Sequence, residues 1–209
     1  PRYKRWLYKT GLQVPLIVHV PEKFRHLAPG GAAQGRHASP VSLIDLPPTV
    51  LSLAGIEAPA TYAGRALFGA KAAAPAGPAL IFGARDRADD MYDLSRSVYD
   101  GRYLYIRHFM PHQAPIQGGI ILGPYEKDSL RELHRLHAEG GDTEVSRRLW
   151  ERRGPEELYD LHTDPYELHN LADELTMRPV KERLAARLRD WMLQTRDTAF
   201  LPEPEMHRR

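Results

Sequence analysis

Val98-Tyr99-Asp100-Gly101-Arg102-Tyr103-Leu104-Tyr105-Ile106-Arg107 decides the architecture of the larger part of this chain. Two runs rich in β-branched and aromatic residues flank an Asp-Gly pair, which suits the tight turn between antiparallel strands. Ser95 to Val98 extends the first run, and Leu80-Ile81-Phe82-Gly83 and Glu157-Leu158-Tyr159-Asp160-Leu161 read as further strands of a small antiparallel sheet. Between them, Tyr125 to Trp150 is polar and helix-prone, with Leu130, Leu133 and Leu136 three apart and Gly140-Gly141 as an interruption. A last helix is expected from about Pro179 to Gln194. Its stripe Val180, Leu184, Leu188 and Trp191 should pack across the sheet.

The first part of the chain has a different texture. Val14 to Val20 is a nearly continuous apolar run between Pro15 and Pro21, and it reads as a strand buried on both faces. After a Gly, Ala and Pro-rich loop, Leu27 to Gly35, a second strand is expected at Pro40-Val41-Ser42-Leu43-Ile44. Asp45 then caps a helix from Pro47 to Leu53, with Gly55 as its stop. From Ala58 to Pro78 the composition shifts to Ala, Gly and Pro, as in a linker.

The 209 residues are enough for one large or two small domains, and a compact fold of this size buries roughly 70% of its unfolded surface. Twenty-nine basic and 27 acidic residues leave a formal charge of +2, with no electrostatic footprint for a nucleic acid. An anionic substrate would need local arginines and lysines. The absence of cysteine removes disulfides, thiolate metal sites and a thiol nucleophile, and leaves the redox compartment open. No apolar run reaches the roughly 18–20 residues that cross a bilayer, so no membrane partner is expected.

Several residues could carry chemistry. Lys4 offers a compact charge for an anionic oxygen; the alternative is a solvated lysine beside Arg2 and Arg5. Arg85-Asp86-Arg87 directly follows an apolar strand, so two guanidinium forks flank a carboxylate that can accept from sugar hydroxyls. Equally, such a cluster can be a surface loop with an internal ion pair. His108 and His112 leave the hairpin on either side of Phe109-Met110-Pro111 and could line a subsite, or be structural or solvated. His134 and His137, three apart on a helix, lack companion metal ligands and read as a helix face. Glu157 to Ala172 reads as architecture: Leu158 and Leu161 enter a core, Asp164-Pro165 turns the chain, and Asn170-Leu171 leads into a helix.

Three stretches resemble the formylglycine-dependent sulfatases of the alkaline-phosphatase-like superfamily. In Lys4-Arg5-Trp6-Leu7-Tyr8-Lys9-Thr10-Gly11-Leu12-Gln13-Val14-Pro15-Leu16-Ile17-Val18, the positions Lys4, Tyr8, Gly11, Val14 and Pro15 match the family pattern, and Gln13 stands where the family has arginine. Ser42 to Ile56 and Glu157 to Ala172 follow in family order. Some bacterial members carry a similar Ala-Arg-Asp-Arg stretch. The resemblance implies an α/β, alkaline-phosphatase-like fold: a remnant of the central sheet plus a small C-terminal antiparallel sheet packed by a terminal helix. It divides the chain into residues 1–57, the last part of the catalytic α/β domain; a linker, 58–78; and a C-terminal subdomain, 79–209.

The resemblance also implies the chemistry of the intact enzyme: hydrolysis of sulfate esters or sulfamates, with a sulfated small molecule or carbohydrate as substrate. Lys4 would hold the sulfate, and Arg85, Asp86, Arg87, His108 and His112 would contact the rest of the substrate. Calcium, which prefers oxygen ligands, and a formylglycine nucleophile are expected, with their residues upstream of Lys4; no serine or cysteine here stands in the C/S-x-P-x-R pattern. The chain alone is therefore expected to be inactive. Any signal peptide would also lie upstream, which is compatible with a periplasmic or extracellular location. The alternatives are a phosphodiesterase or phosphonate hydrolase of the same superfamily, or a non-catalytic binding module if the chain is complete.

Overall fold

Asp100 and Gly101 make the turn of the expected hairpin. Gly101 has φ +100°, and the Asp100 carboxylate accepts from the backbone N–H groups of Arg102 and Tyr103 at 3.0 and 2.7 Å. These observations come from a computed structural model that describes residues 6–28, 35, 39–72, 79–87, 92–116, 128–206 and 208. The chain divides into two units, one of residues 1–13 with 82–209 and one of residues 14–81.

The first unit is built on a four-stranded sheet in the order β1 (Ile81–Arg85), β2 (Ser95–Tyr99), β3 (Tyr103–His108), β4 (Glu156–Asp160). Strands β2 and β3 pair antiparallel with Ser95 opposite His108, and β3 pairs antiparallel with β4 with Ile106 opposite Glu157. Since side chains alternate along a strand, Leu104 and Ile106 share a face with Tyr159. That face carries a core completed by Leu7, Tyr8 and Leu161. Residues 6–13, including the single-turn helix α1 (Lys9–Leu12), lie over it. Gly83 permits this approach: a Cβ there would stand 2.6 Å from Ser97 Oγ and 3.2 Å from Leu7 Cδ2.

The opposite face presents Val98, Tyr105 and Leu158 to the long helix Arg178–Gln194, which packs against β2 and β3. Its stripe is the expected one, with Leu184 and Leu188 buried and Trp191 stacked on Phe82 of β1 at 4.9 Å. Burying each such aliphatic side chain is worth about 1.5–3 kcal/mol. Between β3 and β4, helices Asp128–Ala138 and Glu144–Arg147 are separated at Gly140, where φ is +72°. The segment after β4 also behaves as architecture. Asn170 Oδ1 accepts from Leu158 N–H and Ala172 N–H at 2.9 and 3.0 Å, and Leu171 N–H donates to the Leu158 carbonyl at 2.8 Å.

The second unit contains α2 (Leu46–Leu53), preceded by a 3₁₀ turn at Leu43–Asp45 and stopped at Gly55, φ +73°. The helix and its glycine stop follow the sequence reading. The inner stripe of this helix is polar: Asp45 accepts from Arg65 N–H at 2.9 Å, Thr49 from Leu67 N–H at 2.9 Å, and Ser52 from Lys71 N–H at 2.9 Å. Residues 65–71, within the stretch expected as linker, are thereby fastened along the helix.

Both strands expected in this part are absent. Residues 14–20 form no strand and no ladder with the other described residues, and Ile17 is 90% exposed. Leu43 and Ile44, expected in a strand, lie in the 3₁₀ turn and are exposed. A strand needs neighbours to satisfy its N–H and C=O groups, and this unit supplies none among its described residues. The observed architecture is therefore mixed α/β with one small sheet, without a remnant of a second sheet among the described residues.

Candidate functional site

Polar side chains of all four strands form a row across the face covered by residues 6–13. Arg85 ends β1, Ser95 begins β2, His108 ends β3 and Glu157 lies in β4. All four are buried. Ser95 Oγ lies 2.9 Å from His108 Nδ1, and His108 Nε2 lies 2.7 Å from Glu157 Oε1. Because Nε2 faces a carboxylate, it carries the proton of that bond. Glu157 also accepts from the Tyr8 hydroxyl at 3.1 Å and the Tyr159 hydroxyl at 2.7 Å.

The row continues into a buried ion cluster. Asp93 Oδ1 accepts from Ser95 Oγ at 2.9 Å and from Leu94 N–H at 2.8 Å. Its Oδ2 accepts from Arg153 Nη2 at 2.9 Å and lies 3.2 Å from Arg85 Nη1. The Trp6 ring covers the Arg85 guanidinium at 3.9 Å, a favourable cation–π placement. Burial pulls the pKa of Arg85 below its ordinary value; Asp93 opposes this and Arg153 adds to it. A small cavity opens here, lined by Trp6, Leu7, Tyr8, Arg85, Ser95, Ile106, His108 and Arg153, with about 10 Å³ free for a water-sized sphere.

The residues singled out from sequence are thus distributed unevenly. Arg85 and His108 share the cavity. Asp86 turns the other way, accepting from Arg96 Nη1 at 2.8 Å, while Arg87 and His112 are exposed. Lys4 lies outside the described residues. His134 and His137 pack on Trp150, each at 4.5 Å between ring centroids, and among the described residues no group of three or more His, Cys, Asp or Glu is placed to hold a metal. The sequence reading missed Trp6, Asp93, Ser95 and Arg153 and took Glu157 as part of an architectural stretch. One signal was available: Ser95-Arg96-Ser97 interrupts the apolar character of a strand that is buried on both faces, so its polar groups had to be paired inside.

The network sets an acid limit on stability. Burial pushes the Glu157 carboxyl up, but hydrogen bonds from His108, Tyr159 and Tyr8 outweigh it and hold the group below the usual carboxylate range. A depressed folded-state pKa stabilises the fold above the unfolded value, about 4.3 for glutamate, and that stability is lost as pH falls through the folded value. Glu157→Gln should therefore flatten the acid limb of a urea-midpoint profile from about pH 5 downward, around and below the unfolded value of about 4.3. An unchanged slope in the variant would remove Glu157 from the groups that set it.

Comparison with known proteins follows the sheet unit and the segment before it together. The chain is 34% identical over 210 residues to an ulvan-active sulfatase of Formosa agariphila, a match covering 99% of this chain and 33% of that protein. It is 30% identical over 203 residues to human N-sulphoglucosamine sulphohydrolase, covering 91% of this chain and 38% of the relative. A crystal structure of a sulfatase from Bacteroides thetaiotaomicron aligns with 74% of this chain and 25% of its own, at 23% identity and a TM-score of 0.47. No protein-family model matches. None of the described helices is long and apolar enough to cross a membrane. The chain belongs among the homologues of the sulfatase family as a partial, sulfatase-like chain that spans about a third of the length of the curated relatives it matches.

Proposed function

We propose that this chain is the C-terminal portion of a sulfatase that hydrolyses sulfate esters or sulfamates on a sulfated carbohydrate. The observation that carries this reading is the match to the ulvan-active sulfatase along 99% of the chain, supported by the relation to N-sulphoglucosamine sulphohydrolase. Lys4 would hold a sulfate oxygen and stabilise charge as the ester bond breaks. Arg85 and His108 would shape the floor of a substrate subsite, with Asp86, Arg87 and His112 nearer solvent. Calcium and formylglycine would supply the metal and the nucleophile. The residues of this chain do not fit either group: no cysteine or serine stands in the C/S-x-P-x-R pattern and no metal-ligating cluster is found among its described residues, so both would come from the part of the enzyme it does not span.

The 209-residue chain by itself should not turn over an aryl sulfate or a sulfated oligosaccharide in the presence of calcium, whereas the protein carrying it together with a formylglycine and calcium domain should. Turnover by the chain alone, lost on a point change within it, would overturn the reading. Hydrolysis of a phosphate diester in preference to a sulfate ester by the intact protein would move it to the phosphodiesterases of the superfamily.

Arg87 separates substrate recognition from catalysis. It is exposed beyond the end of β1, so in the intact enzyme Arg87→Ala should lower kcat/KM for a sulfated sugar by roughly 10- to 100-fold, the scale of one charged hydrogen bond. A small aryl sulfate should be processed as before. Equal losses on both substrates would place Arg87 in the folding or catalytic machinery, and no loss on either would make it a surface charge.

A further inference from the structure

We propose that the cavity beside Arg85 and Arg153 is a binding site for a small inorganic anion of chloride size, a site independent of the sulfate ester proposed as substrate. Both guanidiniums are buried, with side-chain exposures of 5% and 6%, and they share the single carboxylate of Asp93. The remaining buried carboxylate of the row, Glu157, is already taken by His108, Tyr8 and Tyr159. Among the described residues, Arg85 and Arg153 are thus two cations against one available anion.

Three nitrogens decide what the cavity holds. Arg85 Nε and Arg153 Nε are buried without a hydrogen-bond acceptor, and Arg85 Nη1, though 3.2 Å from Asp93 Oδ2, makes no hydrogen bond to it. Buried polar groups left unmatched are rare and costly, and guanidinium nitrogens can only donate. A water molecule could accept from some of them and donate to a spare lone pair of Asp93 or Glu157, but it would leave the surplus positive charge in place. An anion accepts from every side and donates to none. It therefore matches the unsatisfied guanidinium donors, and it neutralises the surplus guanidinium charge. The free space, about 10 Å³ for a water-sized sphere, is on the scale of one water. That leaves room for a monatomic anion. Trp6, stacked on Arg85, covers one side of the cavity.

The test is the thermal midpoint of the 209-residue chain in sodium chloride against sodium gluconate at equal ionic strength. Chloride should raise the midpoint saturably, by about 2–4 °C or more, bromide should replace it, and Arg153→Gln should abolish the difference. Chloride-35 line broadening on the unmodified chain, relieved by bromide, serves if that variant does not fold, and a bromide-soaked crystal should give an anomalous peak against Arg85 and Arg153. Equal midpoints in the two salts, no line broadening and a water in the cavity would overturn the proposal. So would a bromide peak seen only at crystal concentration, with no response in solution.

Discussion

Arg96→Leu is expected to destabilise the sheet unit by about 3–5 kcal/mol, the cost of stranding the partner of a buried ion pair. The Arg96 side chain is 1% exposed in the middle of a four-stranded sheet. Its Nε and Nη2 donate to the two oxygens of Asp197 at 2.5 and 2.9 Å, and its Nη1 donates to Asp86 at 2.8 Å and to the Ser95 carbonyl at 2.8 Å. The bidentate fork therefore ties the chain that follows the long helix, at Asp197, to the strand β2, while Nη1 holds the loop that leaves β1. Leucine fills much of the volume but satisfies none of these acceptors, and Asp197, itself only 12% exposed, is left charged and poorly solvated. The measurement is urea unfolding followed by tryptophan fluorescence, since Trp191 is stacked on Phe82 of the same sheet. Arg102→Ala is the control. That arginine also grips an aspartate bidentately, Asp160, but its side chain is half exposed, so solvent screens the pair and the loss should be far smaller. Comparable losses in the two variants would deny Arg96 its special place.

Lys4→Ala in the intact enzyme should lower kcat by on the order of 10²-fold, the effect of removing one donor to charge that develops in the transition state. That corresponds to about 2.7 kcal/mol. Lys4→Arg should rescue poorly, because a planar fork cannot place a single compact charge where an ammonium stood. If Lys4 binds the sulfate group equally in ground and transition states, KM rises and kcat holds; a variant with both parameters unchanged would return Lys4 to the solvated surface. A thermal scan accompanies the kinetics and separates loss of chemistry from loss of fold.

The sheet was legible in the sequence because hairpin chemistry and alternation are local. Asp100-Gly101 specifies its turn, and the runs on either side can pair only with each other across so short a connection. The long helix was legible for the same reason, through the stripe from Val180 to Trp191. Val14 to Val20 misled because β-branched apolar residues report suitability for a strand, while being a strand requires a neighbour. The candidate site was half visible. Arg85 and His108 stood out as charged or titratable residues at strand ends. Arg153 lies in a polar loop some 68 residues from Arg85 in sequence (153 − 85), and no local pattern says that the two will share Asp93. Nor does composition show that Glu157, in a stretch that looks like plain architecture, receives three hydrogen bonds.

The uncovered run from Val14 to Val20 also has a meaning for the life of the polypeptide in a cell. It joins high β propensity to a complete lack of formal charge, the composition from which cross-β stacking starts, and its Val14, Leu16, Ile17 and Val18 side chains face solvent. Pro15 and Pro21 sit at its two ends; having no N–H to donate, they act as gatekeepers against growth of a ladder in either direction. Exposed in this way, the segment is a place where pairing with a second chain can begin and where chaperones and proteases can engage.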